Sequence, residues 1–242
     1  IQEGRSLFCG DYELFRLKRH INIAINKEYI EIQKYAFRKY KIKTVENKHT
    51  HLVPEELEQL ERLSLTGKHM KLQKSLDAFL FCCYAGMRYS DFTNLSKKNI
   101  VDINQETWLI YKSVKTGTEV RLPLYLLFAG KGIVILNKYR NNLEDFFRLR
   151  DNSNINKDLI IIAKLAGLSK KISFHTARHT NATLLIYNGV NITTVQKLLG
   201  HKSVKTTQVY TNIMDMTIVH DLEKMKQAAL GIKKKTDNSF NK

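Results

Sequence analysis

Cysteine is scarce in this chain, acidic side chains are outnumbered, and long apolar runs are missing. Three cysteines, Cys9, Cys82 and Cys83, stand among 242 residues. Cys82 and Cys83 are adjacent inside an apolar stretch, where they suit a core better than a disulfide framework. No CxxC and no mixed Cys/His spacing suggests zinc, and a reducing, cytoplasmic compartment is the default for such a chain. The absence of any run of about 18 apolar residues argues against a membrane span. The N-terminal I-Q-E-G-R-S-L-F-C-G has neither the basic flank nor the apolar core of a signal peptide. It begins at Ile1 rather than Met, as a fragment would. Asp and Glu number 23 against 40 Lys and Arg, a formal net charge of +17. A surplus of that size favours a polyanionic partner.

An apolar fraction of 43% is enough for a real core, and the length allows one or two domains. Leu14, Leu17, Ile21 and Ile25 recur at helical spacing within residues 11–40, a segment too short to be an independent domain. The polar, basic 41–51 reads as a linker, though it lacks the Pro and Gly of an emphatic boundary. Pro54 opens a helix with Leu57, Leu60 and Leu63 on its apolar stripe. A stronger helix is predicted over 69–85, ended by Gly86, with Ser90 capping a short helix through Asp91 and Leu95. Residues 99–122 change to short strands, with a turn at Lys115-Thr116-Gly117-Thr118 and a stop at Pro123. Residues 124–149 are predicted helical with a break near 129–132, and 151–156 as a polar loop before a helix over 155–166 that Gly167 closes. Further helices are predicted over 176–188, with Ala182, Leu185 and Ile186 inward, and from an Asn191 cap to Gly200. Ser203 caps a short helix carrying Tyr210, and an apolar helical piece spans 218–230 before a basic tail. The fold class is therefore mainly α with a small antiparallel β-sheet.

The chemistry concentrates in F-H-T-A-R-H-T and the residues after it, as far as Thr211. His175 and His179 are four apart, as two zinc ligands on one helix face would be. The metalloprotease pattern needs Glu directly after the first His, and that position is Thr176. No metal site is assigned. Arginine presents a planar fork of donors that matches phosphate oxygens, so Arg88 and Arg178 can clamp a phosphodiester. Asp91 can pair with Arg88 and orient it. Lys115, at a hairpin tip, is either a solvated loop charge or an ammonium delivered into a DNA groove to protonate a leaving oxygen. Tyr210 is one of 11 tyrosines, and a phenol with a pKa near 10 needs activation before it attacks phosphorus. Arg178, His201 and Lys115 together could supply the required field. His179 reads as a core histidine with a satisfied hydrogen bond.

Five pieces in this order, A-G-M-R-Y-S-D-F, V-K-T-G-T-E-V-R-L-P-L, F-H-T-A-R-H-T, L-L-G-H-K-S and T-T-Q-V-Y-T, resemble the tyrosine recombinase (phage integrase) family, of the kind found in mobile elements. The resemblance covers about Leu52 to Ile213. It departs from the common pattern at Ala177, where a larger apolar residue is frequent, and at Asp91, where Glu is also common. It implies that Tyr210 attacks a backbone phosphorus and forms a 3′-phosphotyrosyl bond, freeing a 5′-hydroxyl. Arg88 and Arg178 would hold the phosphate, Lys115 protonate the leaving oxygen, His175 assist proton transfer with the tyrosine, and His201 hydrogen-bond the phosphate. No cofactor, metal or nucleotide is implied. The partner would be double-stranded DNA, with a homotetramer in the synaptic complex passing through a Holliday junction, and a monomer when free. Residues 1–45 resemble the last helix or two of a helical core-binding domain plus linker, so the DNA clamp is expected to be incomplete. Residues 46–217 would be the catalytic domain, and 218–242 a docking helix with a basic tail. The same residues admit a type IB topoisomerase, which relaxes DNA without exchanging partners, or a non-catalytic DNA-binding relative.

Overall fold

A computed structural model describes residues 7–38 and 50–210, the side chains before residue 13 excepted. The chain divides into two units, Ile1–Lys48 and His49–Lys242. The linker expected at 41–51 lies almost wholly outside the described residues, and the 218–230 helix lies wholly outside them.

In the first unit, helix α1 (Leu7–Asn26) precedes a short 3-10 turn at Ile32–Lys34. Leu14, Ile21 and Ile25 are half-buried, as their spacing predicts, but Leu17 is exposed. Phe37 is buried and receives Lys18, whose Nζ lies 5.9 Å from the ring centroid.

The second unit is organised around helix α3 (Gln73–Ala85), which buries every residue from Ser75 to Ala85. Its sequence L-D-A-F-L-F-C-C-Y-A is apolar nearly all round, so neighbours must cover every face. Helix α2 (Pro54–Glu61) supplies Leu57 and Leu60. Helices α5 (Lys131–Lys138) and α6 (Leu143–Phe147) cover another side, as do α7 (Asn152–Leu165) and α8 (Phe174–Tyr187). Phe81, Phe92, Phe146, Phe147 and Phe174 meet in one buried aromatic cluster. Each such ring contributes about 2–3 kcal/mol of burial.

The short helix α4 (Tyr89–Phe92) has Arg88 in the cap position, so Ser90 lies inside it and is not its cap. Strands β1 (Ile100–Ile103), β2 (Glu106–Lys112) and β3 (Glu119–Pro123) form an antiparallel sheet in sequence order. Asn104 and Gln105 both have positive φ in the β1–β2 turn, the two-residue hairpin that matches strand twist. The break expected near 129–132 in the helical 124–149 segment falls at Phe128–Gly130, and a second separates α5 from α6. The predicted loop at 151–156 is mostly helix. Asp151 accepts the Asn154 N–H and caps α7, so the helix begins at Asn152.

Helix α8 departs furthest from a simple amphipathic reading. Phe174 and all of Thr176–Leu185 are buried, whereas Ile186 is only half-buried. Buried polar groups there find distant partners. Thr180 accepts the Leu52 N–H, and Asn181 donates to the carbonyls of Cys83 and Tyr84. Helix α9 (Ile192–Leu199) follows from the Asn191 cap as predicted, and α10 (Lys205–Gln208) ends two residues before Tyr210. Among the described residues no helix is long and apolar enough to cross a membrane.

Candidate nucleic-acid cleavage site

Arg88 is placed by the end of α3. Gly86 takes a left-handed φ of +66°, and a Cβ there would lie 2.6 Å from Asn181 Oδ1. Only glycine reverses the chain this close to α8. Met87 is then buried as an anchor, and Arg88 follows in extended conformation. Asp91, 1% exposed, faces Arg88 Nη1 at 3.5 Å. The same carboxylate accepts the Val114 N–H at 2.8 Å and the Ser113 hydroxyl at 3.3 Å, while Arg88 donates to Ser113 at 3.3 Å. Asp91 therefore orients the arginine, as its position implies. It also anchors the base of the β2–β3 loop, which spacing alone does not reveal.

That loop carries Lys115, which is exposed. Gly117 closes it by donating to Ser113 O, and Thr116 donates its hydroxyl to Gly200 O at 3.2 Å. The hairpin tip is thus held beside the end of α9. Gly200, with φ +62°, ends that helix, and a Cβ there would stand 2.6 Å from Val120 of β3. His201 follows at once. Its N–H reaches Gln196 O, its carbonyl accepts Gln196 Nε2, and its Nδ1 lies 2.9 Å from the Thr207 hydroxyl.

His175, Arg178 and His179 share helix α8. Asn156 accepts the Phe174 N–H and Thr176 Oγ1 accepts the Ser173 N–H, satisfying the helix start. His175 is exposed in this first turn. Arg178 is 1% exposed and donates to Gly86 O at 2.7 Å and Leu199 O at 2.6 Å. It thereby bridges the C-terminal ends of α3 and α9, where helix dipoles favour a cation. Two of its five N–H groups are used this way. Tyr210, 5% exposed, brings its hydroxyl to 3.0 Å from His179 Nδ1.

The charges act on one another. Burial pushes the Arg178 guanidinium down to about 10, helped by the neighbouring Arg88 charge. Burial raises the Tyr210 phenol above its ordinary value, and Arg178 and Arg88 offset part of that rise. His201 is pushed down to about 3 by burial, then by Arg178, Arg88, His175 and Lys115. His201 is thus a neutral imidazole at physiological pH. Arg178, Arg88, His175 and Lys115 all act on His201, and Arg178 and Arg88 also act on Tyr210, although Arg88 and Lys115 come from far upstream. Sequence reading did not single out Thr116 or Thr207, or the Asp91–Val114 bond. The available signal was a run of hydrogen-bonding side chains beside each catalytic candidate.

The His201 shift sets a pH dependence. The unfolded imidazole, with a pKa near 6.5, binds a proton that the folded one refuses until about pH 3. Stability from this group is present above pH 6.5 and is lost as the pH falls towards 3. The expected slope is up to about 1 kcal/mol per pH unit in that window. Urea denaturation at pH 7.5, 6 and 5 checks it, and His201→Asn is expected to flatten the profile.

A concavity outside this cluster is lined by Lys68, Lys71, Lys74, Arg148 and Arg150, together with Asp158. Lys74 pairs with Asp145 and Arg150 with Asp158. Among the described residues no group of three or more His, Cys, Asp or Glu side chains could hold a metal ion.

Residues 50–216 match the family model described as phage integrase family. A tyrosine recombinase of Pseudothermotoga lettingae is 30% identical over 181 residues, covering 73% of this chain and 60% of the relative. The chain thus spans about three fifths of the length of the first curated relatives it matches. Among solved structures, the Tn1549 transposon integrase in complex with circular intermediate DNA is 16% identical with a TM-score of 0.65, covering 92% of this chain and 81% of that one. A lambda integrase tetramer bound to a Holliday junction is 19% identical with a TM-score of 0.62, covering 80% of this chain and 56% of that one.

Proposed function

The chain belongs to the phage integrase family, and we propose that it is the catalytic part of a site-specific DNA recombinase that integrates or excises a mobile element. The observation that carries this reading is the shared field around Tyr210 and His201, to which Arg88, Arg178, His175 and Lys115 contribute. Tyr210 attacks a backbone phosphorus in line and forms a 3′-phosphotyrosyl bond. Arg88 and Arg178 stabilise charge on the non-bridging oxygens with fixed donors. Lys115 reaches the leaving 5′-oxygen from the hairpin tip and protonates it. His175 assists proton transfer at the start of α8. His201, neutral and with Nδ1 turned to Thr207, offers Nε2–H to the phosphate as a hydrogen-bond donor. The covalent bond stores the phosphodiester energy, so rejoining needs only the reverse steps.

Double-stranded DNA as partner is supported by the net charge of +17 and by the basic concavity. The lambda integrase tetramer on a Holliday junction supports a homotetrameric synaptic complex, assembled from monomers on DNA. A reaction on chromosomal or element DNA places the protein in the cytoplasm of a cell without a nucleus.

The test uses nicked duplexes carrying the DNA ends that flank the encoding gene. Wild-type protein is expected to give an SDS-resistant complex, and mass spectrometry of its nucleotide-linked peptide is expected to place the link on Tyr210. A link on another tyrosine overturns the assignment. On a substrate with a bridging 5′-sulfur, a good leaving group, Lys115→Ala is expected to cleave nearly as fast as wild type, while remaining about 100-fold slow on normal DNA. Equal slowing on both removes Lys115 from the general-acid role.

A further inference from the structure

The reaction as written makes no use of His179. Yet its Nδ1 is the ring nitrogen that stands 3.0 Å from the Tyr210 hydroxyl, and both side chains are buried. Its ring also meets His175 edge-to-face, with centroids 4.5 Å apart, which limits the tilt it can adopt. The segment bringing Tyr210 here is fixed independently by the His201–Thr207 bond and by Gly200 against Val120.

Burial makes the phenol harder to ionise than a free one. Even a free phenol is ionised to only about one part in a thousand at pH 7. Attack by Oη therefore needs a proton acceptor within hydrogen-bond reach. His201 turns its Nδ1 to Thr207, and His175 lies on the exposed first turn of α8. His179 is already in place.

Resting on the assignment of Tyr210 as nucleophile, we propose that His179 is a further catalytic residue, the group that takes the phenol proton. As the Oη–P bond forms, the proton passes from Oη to His179 Nδ1. As the P–O5′ bond breaks, the leaving oxygen takes a proton from the Lys115 ammonium. His179 ends the step as imidazolium and Lys115 as amine, so protons and charge balance. In rejoining, the 5′-hydroxyl returns its proton to Lys115, and Tyr210 recovers its own from His179. The role requires the Nε2–H tautomer, whose Nδ1 lone pair faces the hydroxyl. His175, packed edge-to-face against that ring, assists the transfer by holding the imidazole in place.

The experiment is single-turnover cleavage of a nicked duplex on which wild-type protein forms its covalent complex, with DNA binding measured in parallel. His179→Ala is expected to cleave at least about 100-fold more slowly while binding DNA within about twofold of wild type. His179→Asn keeps a polar atom near the Nδ1 position but cannot carry a proton, and it is expected to stay slow. Placing a fluorotyrosine, with its more acidic phenol, at position 210 is expected to restore about tenfold or more to either variant. Full recovery in His179→Asn reduces His179 to a holder of the ring and overturns the proposal. So does an absent fluorotyrosine effect, or a loss of binding that parallels the loss of cleavage. If His179→Ala does not fold, His179→Asn with and without fluorotyrosine makes the same decision. Tyr210→Phe separates the two readings. Covalent labelling by that variant sinks the nucleophile assignment itself, whereas an inert Tyr210→Phe beside a fast His179→Ala sinks only the role of His179.

Discussion

Tyr210→Phe is expected to abolish covalent trapping of DNA, with a loss of at least about 10⁴-fold in cleavage rate, while leaving the fold intact. Nucleophile removal in covalent catalysis has effects of this order. The substitution deletes one oxygen. Tyr210 keeps its ring, which is 5% exposed and packs with the core. The oxygen's visible partner is His179, 3.0 Å away, and that imidazole loses one hydrogen bond, at a cost of about 1 kcal/mol. Urea denaturation and a nicked-duplex cleavage assay on the same preparation separate the two effects. A Phe variant that still labels DNA would place the nucleophile elsewhere among the 11 tyrosines. A variant that fails to fold would contradict the small energetic cost assigned to the lost bond.

Arg178→Ala is expected to lose both stability and cleavage, because one guanidinium serves the fold and the phosphate together. In the folded protein Arg178 satisfies Gly86 O and Leu199 O, at the C-terminal ends of α3 and α9. Each buried carbonyl left without its donor costs about 1–3 kcal/mol. With the cavity left behind, the expected loss is about 3–5 kcal/mol. Cleavage is expected to fall by at least about 100-fold in whatever fraction remains folded, since a fixed donor aimed at developing charge has gone. Arg178→Lys sharpens the test. A lysine keeps the charge near the helix ends but cannot fork between two carbonyls. It is expected to recover part of the stability and little of the cleavage. Wild-type stability in Arg178→Ala would show that the two carbonyl bonds contribute nothing to the fold.

The two variants differ in a way that reflects how the site is built. Tyr210 hangs at the end of a short element, two residues past α10, and its oxygen is an addition to a packed ring. Arg178 sits mid-helix among residues buried on every side. Asp91 belongs with Arg178 in this respect, since its one carboxylate serves Arg88, Ser113 and the Val114 backbone. The two arginines are therefore tied into the hydrogen bonding of the fold itself, and their removal is felt beyond the chemistry.

Much of the architecture was legible from local signals. The apolar run of α3 with Gly86 at its end, Pro54 opening α2, the Asn191 cap and the Gly200 stop all act within a few residues. Local steric and hydrogen-bonding rules suffice to read such features. Sequence expectations failed where two local rules competed or where the answer lay far away. Ser90 looked like a cap, but Arg88 holds the cap position and the helix begins at Tyr89, because Gly86 has already turned the chain. The polar 151–156 looked like a loop, but the Asp151 side chain caps α7 and lets those residues enter the helix. Helix α8 looked amphipathic, yet its polar side chains are buried because α3, α9 and the chain at Leu52 supply partners.

By itself the sequence determined the chemical inventory and most helix ends, since composition, motif order and capping depend on residues close in the chain. It also carried the likeness of five ordered segments to one family, which the match over residues 50–216 bears out. Only the tertiary structure decided which groups touch. Hydrogen-bond partners 31 and 84 residues apart, His179 with Tyr210 and Thr116 with Gly200, depend on how helices and hairpin pack. Periodicity states that a side chain is buried, and packing alone states against what. For His179 the difference is between a histidine that fills the core and one whose nitrogen meets the tyrosine oxygen.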